Sequence, residues 1–228
     1  MLKKLNNIGD SAIVCDFGDE VNQAINTEVI KLFHYIKKQA LSGKIEGILN
    51  CIPSYNKLLI SFDLQKINTK EISEIINSSQ YKNLNFSQDK KEHVIPICYD
   101  FGIDLTNISK ELKLDKEEII SIHLNSTFFI YMIGFVPGHP FMGDLNPNLF
   151  LNRLKTPRVK VPAGSVGIVE KFCNIYPYES PGGWNIIGRT PTKLFNNKDS
   201  MKPCLLSPGD IIKFKSISKK EFNNLTDE

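Results

Sequence analysis

Apolar positions follow two rhythms along this chain. In the first part, "SAIVCDF" (11–17) is short, apolar and β-branched, which predicts a strand. "EVNQAINTEVIKLFHYIKKQALSGK" follows, with Val21, Ile25, Val29, Leu32, Phe33, Ile36 and Ala40 at helical spacing and Gly43 as a stop. "KIEGILNCI" and "KLLISFD" read as two strands joined by the turn "PSYN". "NTKEISEIINSS" reads as a second helix, capped by Asn68 or Thr69 with Glu71 in its first turn. The order β-α-β-β-α is one strand short of a ferredoxin-like split βαβ unit. The polar stretch "NLNFSQDKKEH" then marks a domain boundary near residue 88, giving domains 1–88 and 89–228.

The second rhythm is shorter. "VIPICYD" is a strand, and "DLTNISKELKL" and "DKEEIISIHLNS" are short helices, the latter with Asp115 as N-cap and Glu118 three residues on. After Thr127 the helical spacing stops. Prolines and glycines alternate with the β-rich runs "FFIYMIGF", "RVKVPAGSVGIVE", "WNIIGRTPTKLF" and "DIIKFKSI". Many short strands with Gly/Pro turns predict a sandwich or a small closed barrel. "GFVPGHPFMGDLNPNLF" reads as a surface loop, since its prolines and glycines oppose a long helix or a central strand. So apolar a loop needs a cover: either it folds over the mouth of its own barrel, or it docks a partner.

Composition narrows the function classes. The chain has 228 residues, 41% of them hydrophobic, and a net charge of +3, so a real core forms and no dense basic patch marks a nucleic-acid or membrane partner. No run approaches a membrane span, and no signal-peptide core follows Lys3 and Lys4. Five scattered cysteines without a C-x-x-C fit free thiols in a reducing cytoplasm. With four dispersed histidines besides, no metal site is predicted. There is no P-loop, no G-x-G-x-x-G and no G-x-S-x-G elbow.

The remaining chemistry lies in angular loops between Gly134 and Pro191. Gly134 and Gly138, with Phe135, Pro137 and His139, form one loop. Pro162, Ala163, Gly164 and Ser165 form a second. Backbone amides in such loops can receive a carboxylate or amide oxygen. Arg158 and Arg189 flank them as a bidentate clamp, or tie loops to carbonyls. Tyr176, Ser180, Gly182, Gly183 and Trp184 frame a pocket, though Trp184 also suits a core position at a barrel corner. His123, beside Ile119 and Ile122 on a helix, reads as a hydrogen-bonded structural histidine. His139 is the more exposed candidate, and His34 and His93 read as surface residues. Glu179 is a general base or a solvated loop residue.

Several long stretches then fall in one order: "IGDSAIVCDFGDEVNQAIN", "CIPSYNKLLISFD", "SIHLNSTFFIYMIGFVPGHPFMGDL", "LKTPRVKVPAG", "VPAGSVGI", "IYPYESPGGWNIIGRTP" and "LLSPGDIIKF". This series resembles the KipI/PxpB family, the B subunit of bacterial 5-oxoprolinase, also called allophanate hydrolase subunit 1. The resemblance implies an α+β chain with an N-terminal ferredoxin-like domain followed by a C-terminal cyclophilin-like β-barrel domain. It implies a cytoplasmic complex with a biotin-dependent-carboxylase-like C subunit and an A subunit, opening 5-oxoproline to glutamate with ATP bound somewhere in the complex. Alternatives within the resemblance are an inhibitor of a sporulation histidine kinase and an allophanate hydrolase-like subunit. It carries His123, Arg158 and Arg189 over as catalytic residues, with His123 moving the proton. The loop residues named above become substrate-binding. Two positions depart from the family pattern: His139 stands where an aromatic is usual, and Phe172, Cys173 and Asn174 stand where Q-T-G is usual.

Overall fold

The computed structural model describes residues 2–78, 81 and 90–226. The chain divides into two compact units, Met1–Asp89 and Lys90–Glu228. The boundary expected near residue 88 falls outside the described residues.

In the first unit, four strands form an antiparallel sheet: β1 (Lys4–Asn7), β2 (Ala12–Asp16), β3 (Ile48–Pro53) and β4 (Lys57–Phe62), in the order β1-β2-β4-β3. Helices α1 (Gln23–Leu41) and α2 (Thr69–Asn77) supply the other half of the core. Asn22 caps α1 by accepting the Ile25 N–H at 2.9 Å. Asn68 caps α2, and Glu71 returns a bond to the Asn68 N–H at 2.9 Å, completing a capping box. Alternate residues Ile13 and Cys15 of β2 and Leu58, Ile60 and Phe62 of β4 point to one face, where Val29, Leu32, Ile36, Ile72 and Ile76 cover them. Each such side chain contributes about 1.5–3 kcal/mol by leaving water. The place beside β2 is taken by β1, which the apolar pattern does not reveal. "KLNN" has no strand alternation and makes its case only through pairing with β2.

The second unit is built around a seven-stranded sheet. After β5 (Glu92–Ile97) come α3 (Leu105–Leu112), α4 (Lys116–Leu124), β6 (Phe128–Ile133), β7 (Pro140–Gly143), β8 (Arg158–Val161), β9 (Ser165–Val169), β10 (Phe172–Ile175), β11 (Ser180–Gly182), β12 (Asn185–Arg189), β13 (Ile211–Ser216) and α5 (Lys219–Thr226). The sheet runs β12-β9-β10-β7-β6-β13-β5, and β8 pairs with β11 in a small ribbon. Its two end strands meet where Cys98 and Arg189 exchange backbone bonds of 2.8 and 3.0 Å. The sheet thus nearly closes into a barrel, which removes most of the exposed edge. Ile97, Phe128, Ile130, Met142, Val166, Ile168, Cys173, Ile175 and Ile212 fill the core with Ile108 and Ile119 of the helices.

One expectation is corrected. The segment read wholly as a surface loop contains β7, a central strand between β6 and β10. Pro140 opens that strand, a position where proline costs little. Met142 lies fully buried in the barrel's own core.

Candidate functional site

The pairing of β7 with β10 creates the site. Register sets Phe141 opposite Asn174. Side chains two apart share a face of a strand, so His139 joins Phe141 and Tyr176 joins Asn174 on one side. Trp184, between β11 and β12, completes a wall. Together with Phe135, Arg153, Pro181 and Gly182 these residues line a cleft of about 190 Å³. Two wider clefts, of about 470 and 500 Å³, lie along α1 in the first unit, but they are more open. None of the residues lining them carries a buried polar atom without a partner. Two of the residues lining the small cleft do.

Those two belong to a buried pair. His139 and Asn174 are each 1% exposed. The Asn174 Nδ2 donates to His139 Nε2 at 3.1 Å. An amide nitrogen only donates, so Nε2 accepts and the ring proton sits on Nδ1. Among the described residues His139 Nδ1 and Asn174 Oδ1 have no hydrogen-bond partner, and neither has Ser180 Oγ next to the cleft-lining Pro181. Burial lowers the His139 pKa to about 4, so the ring is neutral at neutral pH. Its plane stacks on Phe141 at 4.7 Å and meets Tyr176 edge-on at 5.3 Å. Burial raises the Tyr176 pKa, while Asn174, Arg153, the Trp184 backbone and Arg158 pull it back. Gly182 is needed here because a Cβ would run into the Tyr176 hydroxyl.

At the rim, Phe135 is 71% exposed with φ 69°. The Val136 N–H donates to Gly134 O across it at 2.8 Å, a tight γ-turn that is strained for a side chain of this size. Strain of that kind gathers at ligand clamps.

A family model described as "Carboxyltransferase domain, subdomain C and D" matches residues 3–206. The chain belongs to this family. The B subunit of 5-oxoprolinase from Bacillus subtilis (strain 168) is 35% identical over 240 residues, covering 99% of this chain and 97% of that protein. The protein of the same description from Haemophilus influenzae is 42% identical over 137 residues, 59% of this chain and 64% of that one. These relatives bear out the KipI/PxpB resemblance. Among solved structures, TTHA0988 superposes with a TM-score of 0.81 at 28% identity over 92% of this chain. This family member spans 40% of the TTHA0988 chain.

Of the residues expected to bind substrate, Phe135, His139, Tyr176, Gly182 and Trp184 line the family member's cleft. His139 does so from inside the fold, not as the exposed loop residue expected. Gly138, at φ 77°, turns the chain so that His139 enters the sheet face ahead of β7. The amides expected to be free are largely engaged. The Gly134 N–H donates to His139 O (3.1 Å), that of Gly164 to Tyr176 O (2.7 Å), and that of Ser165 to Pro162 O (3.2 Å). Neither Arg158 nor Arg189 lines the cleft. Arg158 forms an ion pair with buried Asp104 and reaches the Trp184 carbonyl at 3.5 Å. Arg189 Nε donates to Ala163 O at 2.6 Å, and its guanidinium lies 5.5 Å from the Phe222 ring. Glu179 makes a 3.0 Å surface pair with Lys160.

His123 is wholly buried in the barrel core. The Tyr99 hydroxyl shares a 2.7 Å hydrogen bond with its Nδ1, the Cys173 sulfur stands 3.9 Å from Nε2, and Phe128 and Phe214 flank the ring. Burial lowers its pKa to about 3. It is held neutral as a structural group and does not reach the cleft. The sequence reading missed Arg153 as a cleft residue. No spacing marked it, and its place becomes evident only through Gly183, where a Cβ would lie 2.7 Å from Arg153 Nε.

Proposed function

We propose that this chain is the B subunit of an ATP-dependent 5-oxoprolinase complex, acting in the cytoplasm with a C and an A subunit and silent alone. The match to a 5-oxoprolinase B subunit across 99% of the chain carries this proposal. In it the first unit is the ferredoxin-like domain of residues 1–88, and the barrel of residues 89–228 is cyclophilin-like. The sheet order of the first unit, with β1 in the remaining strand's place, supports the former.

The cleft can take this substrate through His139 and Asn174, two positions at which the chain is expected to depart from the family pattern, so this support is the chain's own and is not carried over from the family. 5-Oxoproline offers a lactam N–H, a lactam carbonyl and a carboxylate on a compact apolar ring. His139 Nδ1–H and Asn174 Oδ1 are an unmatched donor and acceptor, the complement of an amide. Phe141, Tyr176 and Trp184 give the ring apolar walls. Dry, prepositioned dipoles of this kind hold a carbonyl in one orientation without reorganising. A cleft of about 190 Å³ suits a small ring better than a nucleotide, and ATP is expected at the level of the complex.

Coexpression with the A- and C-type subunits, followed by measurement of ADP and glutamate release, tests this. Turnover that requires 5-oxoproline and all three chains is expected. A purified complex inert toward 5-oxoproline would overturn the function, and robust turnover by this chain alone would overturn its role as a dependent subunit.

A further inference from the structure

We propose that Arg153 is the carboxylate anchor of the cleft and makes it select an acidic lactam over a neutral one. This deepens the 5-oxoproline proposal and rests on it.

The starting point is how sparingly this chain uses arginine. Of its 28 basic residues 25 are lysine, and the three arginines are Arg153, Arg158 and Arg189. Arginine differs from lysine in its planar fork, which grips two acceptors at once. Two of the three use that fork inside the fold: Arg158 on Asp104 and the Trp184 carbonyl, Arg189 on the Ala163 carbonyl and Phe222. Arg153 has no ion pair or hydrogen bond to its side chain among the described residues, and it is the one arginine that lines the cleft.

Its position is built. The Leu154 N–H donates to Gly183 O at 2.9 Å, pinning the segment against the turn before β12. The guanidinium lies over bare Gly183, where a Cβ would stand 2.7 Å from Nε. It is close enough to the Tyr176 hydroxyl to help lower that group's pKa. No carboxylate among the described residues lines the cleft to compete for it, and Glu179 is engaged with Lys160. The cleft therefore has a neutral amide-like end at His139 and Asn174 and a cation at its rim. A small molecule carrying both an amide and a carboxylate matches the two ends together.

The test compares two probes, 5-oxoproline and 2-pyrrolidinone, the same lactam without its carboxylate. Affinity is read by calorimetry on the assembled complex, and KM and kcat are read with 5-oxoproline. Arg153→Gln should weaken 5-oxoproline by about 10- to 100-fold, the usual worth of a charge-assisted pair, raising KM with little change in kcat. Binding of 2-pyrrolidinone should stay unchanged. Arg153→Lys should fall between, since it keeps the charge and loses the fork. Arg153 is exposed, so the variants fold, which a thermal midpoint checks. If the wild-type complex binds 5-oxoproline and Arg153→Gln leaves the ratio of the two affinities unmoved, the anchor is overturned and the 5-oxoproline proposal stands. If the wild-type complex neither binds nor turns over 5-oxoproline, both fall.

Discussion

Acid should unfold this protein earlier than its carboxylates alone would dictate, because two neutral histidines are built into the second unit. His123 and His139 have folded pKa values of about 3 and about 4 against an ordinary 6.5. Between those limits the unfolded chain binds protons that the folded chain refuses, so stability rises with pH and is lost as pH falls below about 6.5. At about pH 5 the pH lies about 1.5 units below the unfolded pKa of each histidine, which costs roughly 2 kcal/mol, or roughly 4 kcal/mol for the pair. For a chain of this size that lowers the thermal midpoint by roughly 10 °C. His34 in the first unit, its pKa also lowered by burial and by Lys37, adds to the slope in the same direction, while Asp16 and Glu221 add little at that pH, since their lowered pKa values start from 3.8 and 4.5. Urea titrations of the full chain across this pH range, followed by Trp184 fluorescence, measure the effect. The chain's single tryptophan packs against Val161, Tyr176 and Ile186 and so reports on the barrel. His123→Phe and His139→Phe should each remove about half of the slope, whatever they do to absolute stability. A flat profile between about pH 7.5 and about pH 5, or a slope that both substitutions together leave undiminished, would refute the reasoning.

Two further outcomes follow from buried polar pairs. Asp104→Ala should destabilise the chain by about 3 kcal/mol in urea unfolding, because it strands the partly buried Arg158 and the Ile186 N–H that Asp104 Oδ2 accepts at 2.7 Å; a loss under about 1 kcal/mol would contradict this. His139→Phe and Asn174→Gly should each cost about 1–3 kcal/mol by leaving the other partner's buried nitrogen unpaired, while the double variant should cost less than the sum. Strict additivity would show that the 3.1 Å contact carries no coupling.

The long elements were legible because burial imposes a period. Val29, Leu32 and Ile36 mark α1, and Leu58, Ile60 and Phe62 mark β4, since each set must lie on one face to reach the core. Asn68 with Glu71, and Asp115 with Glu118, announced the starts of α2 and α4, and both glutamates return the expected bond, at 2.9 and 3.0 Å. What stayed hidden has no period to show. β1, β10 and β11 have three or four residues each, too few to reveal alternation, and their partners are set by register across the sheet. β7 was masked by proline and glycine, whose usual meaning fails when proline opens a strand.

The site was legible as a neighbourhood and illegible as a set of roles. Arg158 and Arg189 stood out because they sit beside prolines in "TPRVKVP" and "GRTP", yet rigid surroundings are also where a fold ties its own loops. Both spend their forks on Asp104 and Ala163. Arg153 carries no local mark, because what singles it out is the lack of a partner, and sequence cannot show that. The two expected departures from the family pattern follow the same logic. His139 and Asn174, 35 positions apart, each look like an isolated replacement of an aromatic or of a glycine. In the fold they are one object. Asn174 fills space that a glycine would leave empty, and its amide takes the ring nitrogen that a phenylalanine would lack. Together they turn the floor of an aromatic cleft into a buried donor and acceptor without introducing charge. Either replacement alone would leave a buried nitrogen without this partner, which is the coupling that the double variant measures.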